Sequence, residues 1–251
     1  MSHEAIETVQ GTVHVAFTSK VAGNLGLHVG DSIQALTHRY ELEKALGLEQ
    51  GAIAYLNQVH GTDVASEFPD PVAVDASVEN AAWVLASAPV ADAAVSNGAR
   101  RPLGVLVADC IPLVFWGVTD QGKNVTAVAH AGRRGLLDGV IQATLERMQE
   151  QGVTQVRAWI GPSICGRCYE VPEQLQQESE LLMPGISSTT SWGTPALDLP
   201  AAAIALLGSD PTVIEVNAET NVCTFEDHRV SSHRRADASR IAGLIWKEEK
   251  E

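Results

Sequence analysis

The sequence has few basic residues and no long apolar segment. Its 17 lysines and arginines face 31 acidic residues, which gives a formal net charge of −14. Such an excess of negative charge repels the phosphate backbone of nucleic acids. No stretch approaches the roughly 20 consecutive apolar residues that a membrane-spanning helix needs. We therefore expect neither a nucleic-acid partner nor a membrane-embedded protein.

Cysteines, export signals and common nucleotide-binding motifs are also scarce or missing. Four cysteines in 251 residues are too few for a disulfide framework. The acidic N-terminal residues 1–7 lack the basic start and apolar stretch of a signal peptide. Neither a Walker phosphate-binding loop nor a Gly-x-Gly-x-x-Gly dinucleotide motif is present. These absences favour a cytoplasmic protein with free thiols.

The apolar residues that are present form alternating strand-like and helical segments. Runs rich in β-branched residues predict strands at 12–18, 52–56, 103–108, 124–129, 156–160 and 212–216. Helical periodicity predicts helices at 31–46, 135–151, 172–182 and 199–207. A short turn at 120–123 joins two successive strands, which favours antiparallel or mixed sheets. The pattern predicts a single mixed α/β domain, with residues 184–194 as a surface loop.

Three predicted strands end on a side chain that binds metals. His60 follows the strand at 52–56, Cys110 follows the strand at 103–108, and His130 follows the strand at 124–129. Two imidazoles and a thiolate suit zinc, and three protein ligands leave a fourth position open for water or substrate. The spacing matches no short metal motif, so simple packing of these side chains stays open.

The same residues permit a metal-free reading. Cys110 would be a nucleophile, His130 its base, and Asp109 or Gln58 the group that orients the base, as in an amidase-like hydrolase. Convergence of both imidazoles and the thiolate on one point favours a metal, whereas a single imidazole hydrogen-bonded to the thiol favours the hydrolase.

Two further segments bear on ligand binding. After His130, glycines and the pair Arg133 and Arg134 lead into a predicted helix, a combination that suits an anion such as phosphate; two solvated arginines are the alternative. Cys165 and Cys168 have C-x-x-C spacing, but no second ligand pair is apparent in the sequence. We expect them to be loop cysteines without a metal.

A series of motifs in fixed order supports a family resemblance that covers about residues 17–246. The motifs are Asn24–Asp31, Asn57–Val64, Ala91–Ala93, Ala108–Pro112, Ala129–Gly132 with Arg134 and Gly135, Ile160–Pro162, Cys168–Val171, Cys223 with Thr224, and Ser232–Arg235. With them the chain resembles the YfiH-like family, also called the multicopper polyphenol oxidoreductase or laccase-domain family.

The resemblance implies a fold, a metal and a group of substrates. The implied fold has two packed mixed β-sheets flanked by helices, in four α/β/β/α layers, as one domain over residues 1–251 with a core at about 12–247. The implied cofactor is zinc, bound by His60, Cys110 and His130; copper is disfavoured because a multicopper centre needs many more clustered histidines. The implied substrates are purine nucleosides and phosphate, handled by a monomer or homodimer.

Two reactions follow from the resemblance: phosphorolysis of adenosine, inosine, guanosine or methylthioadenosine, and deamination of adenosine. In deamination, water activated by zinc would attack C6 of adenine, and Asp109 or Gln58 would move protons or hold the base. In phosphorolysis, arginines would bind the attacking phosphate. The expected substrate- and phosphate-binding residues are Asn24, Lys20, Arg133, Arg134 and Arg234.

The chain departs from the family pattern near these residues. Arg133 stands where the family usually has Trp, and Lys20 where it has Arg, so substrate preference is expected to differ. The family also suggests a second activity, removal of a misincorporated amino acid from nucleotide-linked muropeptides. A non-catalytic interaction module is the third possibility, and it would leave three metal-type ligands without a role.

Overall fold

The computed structural model describes residues 2–248. Its strands are β1 (Ser2–Thr8), β2 (Gly11–Phe17), β3 (Ala54–Tyr55), β4 (Val64–Ala65), β5 (Ala93–Asn97), β6 (Leu103–Val107), β7 (Ile111–Thr119), β8 (Asn124–Ala131), β9 (Val153–Ile160), β10 (Ser187–Thr189), β11 (Pro195–Leu197), β12 (Val213–Asn217) and β13 (Ile241–Glu248). Its α-helices are α1 (Ser32–Ala45), α2 (Val78–Ser87), α3 (Arg133–Asp138), α4 (Val140–Glu150), α5 (Glu173–Leu182) and α6 (Leu199–Ser209).

Eleven of the thirteen described strands form two large mixed sheets, and β10 and β11 form a separate antiparallel pair. The first sheet has the order β1-β2-β13-β6-β3, and the second has the order β12-β9-β7-β8-β5-β4. Most neighbours are antiparallel, but β3 pairs with β6, β4 with β5, and β12 with β9 in parallel. The predicted mixed sheets are thus confirmed.

Alternating side chains build the four predicted layers. In the second sheet, Val114 and Trp159 point toward the first sheet and share a core with Val15 and Ile245. The alternate residues of the same strands, such as Phe115, pack with the apolar faces of helices α3, α4 and α6. Helix α1 covers the far face of the first sheet. This period-two alternation makes the sheets inner layers and the helices outer layers, as the family resemblance implied.

Some predicted elements differ from those observed. The helix predicted at 135–151 is two helices, because Gly139 has a φ of 99° and ends α3 before α4 begins. The predicted loop at 184–194 contains the short strand β10. The elements that were not predicted include helix α2 and strands β1, β4, β5, β11 and β13. Strand β1 lies before residue 12 and pairs along its length with β2. Within residues 2–248, no helix has the length and apolarity needed to cross a bilayer.

The chain passes from one sheet to the other close to the predicted metal ligands. Strand β6 lies in the first sheet and β7 in the second, so Cys110 occupies the link between the sheets. His60 lies in a second such link, between β3 and β4, while His130 belongs to β8 itself. Two crossings and one strand therefore bring the three side chains to one edge of the sandwich.

Helix α4 gives a test of the outer packing. Leu145 is 2% exposed and lies in the core that α4 shares with the second sheet, whereas Leu181 on α5 is 84% exposed. Leu145→Ala should lower the free energy of unfolding by about 2–5 kcal/mol, and the control Leu181→Ala by less than about 0.5 kcal/mol. Urea denaturation followed by circular dichroism measures both; equal effects would contradict this packing.

Candidate metal centre

The three predicted metal ligands converge. One ligand atom each of His60, Cys110 and His130 lies within 4.8 Å of the other two, and Cys110 Sγ is 3.7 Å from His60 Nε2. Bond lengths of about 2.3 Å to sulfur and 2.0–2.1 Å to nitrogen, at tetrahedral angles, place such ligand atoms about 3.6 Å apart. The group therefore has the donor types and the spacing of a three-ligand metal site.

One buried carboxylate, that of Asp92, holds the His130 ring and the backbone of the turn that carries His60. Asp92 Oδ1 lies 2.7 Å from His130 Nδ1, so the other ring nitrogen of His130 faces Cys110. The same carboxylate accepts hydrogen bonds from the backbone N–H groups of Val59, His60 and Gly61 at 3.0, 2.9 and 2.7 Å. A carboxylate behind a ligating histidine sets its tautomer and orientation. The sequence analysis assigned no role to Asp92. Its place in the motif Ala91–Ala93, as a charged residue between two alanines, could have indicated that it belongs to the site.

The backbone around the ligands is strained and tightly packed. His60 and Asp109 have positive φ angles of 62° and 84°, a conformation that costs free energy in non-glycine residues and tends to occur at functional sites. A Cβ atom at Gly132 would lie 2.6 Å from His60 Cδ2 and 3.1 Å from Cys110 Sγ. Glycine is therefore required where β8 leads into α3, because any side chain would displace two ligands.

The site favours a thiolate. Burial alone would raise the pKa of Cys110, but the charge and hydrogen bonds of His130, with a smaller contribution from His60, lower it to about 6. Burial would lower the pKa of His130, but Cys110 and Asp92 raise it to about 9. A thiolate at neutral pH is both the metal-binding and the nucleophilic form of cysteine.

Asp109 and Gln58, the predicted proton-handling residues, are held by other groups. Asp109 is buried, and its two carboxylate oxygens accept from the Thr224 hydroxyl at 2.6 Å and the Arg234 backbone N–H at 2.8 Å. The Gln58 amide donates to Leu106 O and accepts from Leu106 N, both at 2.8 Å. Both side chains thus tie ligand-bearing segments to neighbouring elements, and a catalytic role for either stays a prediction.

A cavity of about 430 Å³ opens beside the ligands. His60, Cys110, His130 and Gln58 line it together with three residues that sequence reasoning did not assign to the site: His28, His233 and Arg240. Burial lowers the pKa of Arg240, and the nearby Cys110 and Asp109 oppose that shift. His28 lies in the motif Asn24–Asp31 and His233 in the motif Ser232–Arg235, so the family motifs could have indicated both.

The predicted arginines divide into different environments. The Arg234 guanidinium lies 4.9 Å from the centre of the Tyr169 ring. Burial and Cys110 raise the pKa of Tyr169, while Arg234 and Arg133 oppose that shift, so both cations lie near this ring. Arg134 instead is exposed and pairs with Asp138 at 3.5 Å.

Lys20 and Asn24 lie outside the cavity lining. The Lys20 ammonium pairs with Asp237 at 2.9 Å. The Asn24 side chain bonds to backbone groups of Gly26, Val29 and Arg240. Both hold loops next to Arg240, and their predicted contact with substrate stays a prediction.

The C-x-x-C cysteines have partners that the sequence analysis did not expect. Cys165, Cys168, Cys223 and Glu226 each place a ligand-type atom within 4.8 Å of the others. The missing second pair is Cys223 and Glu226, which repeat the i, i+3 spacing of Cys165 and Cys168. A search for paired cysteines misses it because one member is a glutamate.

Comparisons with known proteins agree with the fold and the motifs. The family model described as multi-copper polyphenol oxidoreductase laccase matches residues 5–248. A purine nucleoside phosphorylase of Streptomyces coelicolor is 38% identical over 253 residues, which cover 96% of this chain and 97% of that protein. An adenosine deaminase from an unknown prokaryotic organism is 32% identical over 175 residues, covering 68% of this chain and 63% of that protein.

A solved structure supports the same assignment. The crystal structure of a Neisseria meningitidis protein superposes with a TM-score of 0.73 at 30% sequence identity, and the match covers 99% of this chain and all of that one. Motifs, fold and relatives thus agree. The chain belongs to the multicopper polyphenol oxidoreductase laccase family, the YfiH-like family.

Proposed function

We propose that this protein is a zinc-dependent purine nucleoside enzyme that cleaves nucleosides with phosphate and deaminates adenosine. The observation that carries the proposal is the convergence of His60, Cys110 and His130 beside an open cavity. The substrate class comes from the relatives, which bear the names purine nucleoside phosphorylase and adenosine deaminase.

Zinc fits the donor set. Two imidazoles and one thiolate are borderline and soft donors, and three of them leave a coordination position for substrate or water, as in catalytic zinc sites. When bound there, zinc would supply Lewis-acid chemistry that activates water or polarises a substrate at neutral pH. Among residues 2–248, candidate ligands form two groups, the His60 group and the Cys165 group. Neither contains the clustered histidines of a multicopper centre.

The positive charges near the site suit phosphorolysis. In this reaction a phosphate oxygen forms a bond to ribose C1′ while the bond from C1′ to the purine nitrogen breaks. Arg133 and Arg234, whose positive charges act on Tyr169, would bind the phosphate and hold it for attack. Arg240 and His28 line the cavity where the purine and its departing charge would lie. Arg133 would thus replace the stacking surface of the usual Trp with a second cation.

One observation favours a second candidate, a metal-free Cys–His hydrolase. Asp92, His130 and Cys110 form a chain in which a carboxylate orients an imidazole that faces a thiol, as nucleophilic catalysis requires. The orienting group would be Asp92, in place of Asp109 or Gln58. His60 argues against this candidate, because a second imidazole on the thiol has no place in such a triad.

Replacing the sulfur ligand tests the metal and the activity together. Cys110→Ala should lose the zinc bound by His60 and His130 and should lower turnover of adenosine with phosphate below detection, because two neutral imidazoles hold zinc weakly. Zinc is measured by mass spectrometry of the metal, and adenine and inosine by chromatography.

The wild-type protein should form adenine when phosphate is present and inosine by hydrolysis. Undiminished turnover in Cys110→Ala would contradict the proposal. Release of serine or alanine from nucleotide-linked muropeptides, without purine products, would replace it with the editing activity.

Replacing the carboxylate of Asp92 should weaken zinc binding while leaving all three ligands in place. Asp92→Asn should lower zinc affinity about 10- to 100-fold, the range seen when the group behind a ligating histidine is lost. Competition with a chromophoric chelator measures it. The control is Asp138→Asn, an exposed carboxylate that pairs with Arg134. Equal zinc affinities in a folded Asp92→Asn protein and in the control would contradict the role of Asp92.

Adjacent arginines allow a matched test of phosphate binding. Arg133→Ala should raise the KM for phosphate about tenfold, because a charge-assisted hydrogen bond is lost. Arg134→Ala should change it less than about twofold, since this exposed side chain pairs with Asp138. Initial rates at varied phosphate measure both. A larger effect for Arg134→Ala would restore Arg134 as the phosphate ligand and contradict this assignment.

A further inference from the structure

A second cluster of metal-type ligands lies outside the cavity described above. It joins two loops: residues 161–172, between β9 and α5, supply Cys165 and Cys168, and residues 218–240, between β12 and β13, supply Cys223 and Glu226. Cys168 is buried, Cys165 and Cys223 are half-buried, and Glu226 is exposed. Three cysteine sulfurs and one carboxylate therefore meet where the two loops touch. Packing of the loops does not by itself require these side chains to meet.

Each pair of ligands lies on a chain-reversing turn. The backbone N–H groups of Cys168 and Tyr169 both donate to the Cys165 carbonyl at 3.0 Å, and the Asp227 N–H donates to the Cys223 carbonyl at 2.9 Å. Such turns bring side chains three residues apart to the same side. A Cβ atom at Gly166 would lie 2.6 Å from Asp198 Cβ, so the first turn is held closely against the start of α6.

The spacing of the donor atoms suits a small thiophilic ion. Cys168 Sγ lies 3.4 Å from Glu226 Oε1, and a tetrahedral zinc with bonds of about 2.3 Å to sulfur and 2.0 Å to oxygen separates these donors by about 3.5 Å. All four donor atoms lie within 4.8 Å of one another. Two pairs of ligands, each with two residues between its members, is the usual spacing of structural zinc sites.

We propose that Cys165, Cys168, Cys223 and Glu226 form a second, structural zinc site. Four protein ligands complete a tetrahedral shell and leave no position for substrate, which distinguishes this site from the three-ligand centre. Three thiolates with one carboxylate select zinc over magnesium or calcium, which prefer oxygen donors.

The proposed zinc site would also stabilise the segment that carries Cys110 in the neighbouring cavity. Ile164, next to Cys165, donates its backbone N–H to the Asp109 carbonyl at 2.9 Å, and Thr224, next to Cys223, donates its hydroxyl to the Asp109 carboxylate at 2.6 Å. Asp109 in turn precedes Cys110. The ion would therefore join the two loops that hold Asp109 in its strained conformation.

Cobalt binding to the Cys110→Ala protein isolates the second site. That variant has lost the sulfur of the first centre, so any thiolate-to-cobalt charge-transfer absorption arises elsewhere. We expect one equivalent of Co²⁺ with the intense near-ultraviolet band of several thiolates, displaced by one equivalent of Zn²⁺. The control Cys110→Ala/Cys168→Ser should lose most of the band. Absence of a thiolate band in reduced, folded Cys110→Ala would overturn the proposal.

The wild-type protein gives an independent readout if these variants fold poorly. Alkylation with iodoacetamide followed by peptide mass spectrometry reports each cysteine separately. Zinc should protect Cys165, Cys168 and Cys223 together, and a strong chelator should expose all three. Equal labelling with and without zinc, or a disulfide between Cys165 and Cys223 in protein isolated under reducing conditions, would overturn the proposal.

Discussion

The carboxylate of Asp92 is the interaction on which the candidate centre depends. Its side chain is fully buried, so its charge must be satisfied by protein groups instead of water. The groups that satisfy it are the His130 ring and three successive backbone N–H groups of the His60 turn. The buried charge of Asp92 thus orients the His130 ring on its strand and positions the backbone of the His60 turn between the sheets.

A second buried carboxylate belongs to Asp109, the residue before Cys110. It accepts hydrogen bonds from the Thr224 hydroxyl and the Arg234 backbone N–H, and Asp109 itself has a left-handed backbone conformation. The two carboxylates lie where the chain crosses between the packed sheets. The fold therefore places His60 and Cys110 on short segments between the sheets and His130 on a strand, and buried hydrogen bonds of Asp92 and Asp109 hold these segments in place. That rigidity is what a site with preset geometry requires.

The family motifs implied the layers and the metal ligands, whereas local patterns alone left packing open as a role for these side chains. Apolar runs rich in β-branched residues predicted β6 and β8, and Cys110 and His130, which follow the predicted strands, lie close together. Neither source showed what holds the ligands in place. Gly139 has a helix-compatible sequence on both sides, so periodicity could not show the break between α3 and α4. Asp92, and the pairing of Cys165 with Cys223, depend on contacts between segments 32 to 58 residues apart. Such contacts follow from the packing of whole elements, which no local pattern contains.

Anomalous diffraction at the zinc absorption edge, from crystals of the purified protein, would locate the metal ion. We expect a peak at about 2.0–2.3 Å from Cys110 Sγ, His60 Nε2 and the ring nitrogen of His130 that faces away from Asp92. A zinc-replete protein without this peak, in which the Cys110 thiol is simply hydrogen-bonded to His130, would contradict the zinc centre proposed on these three ligands.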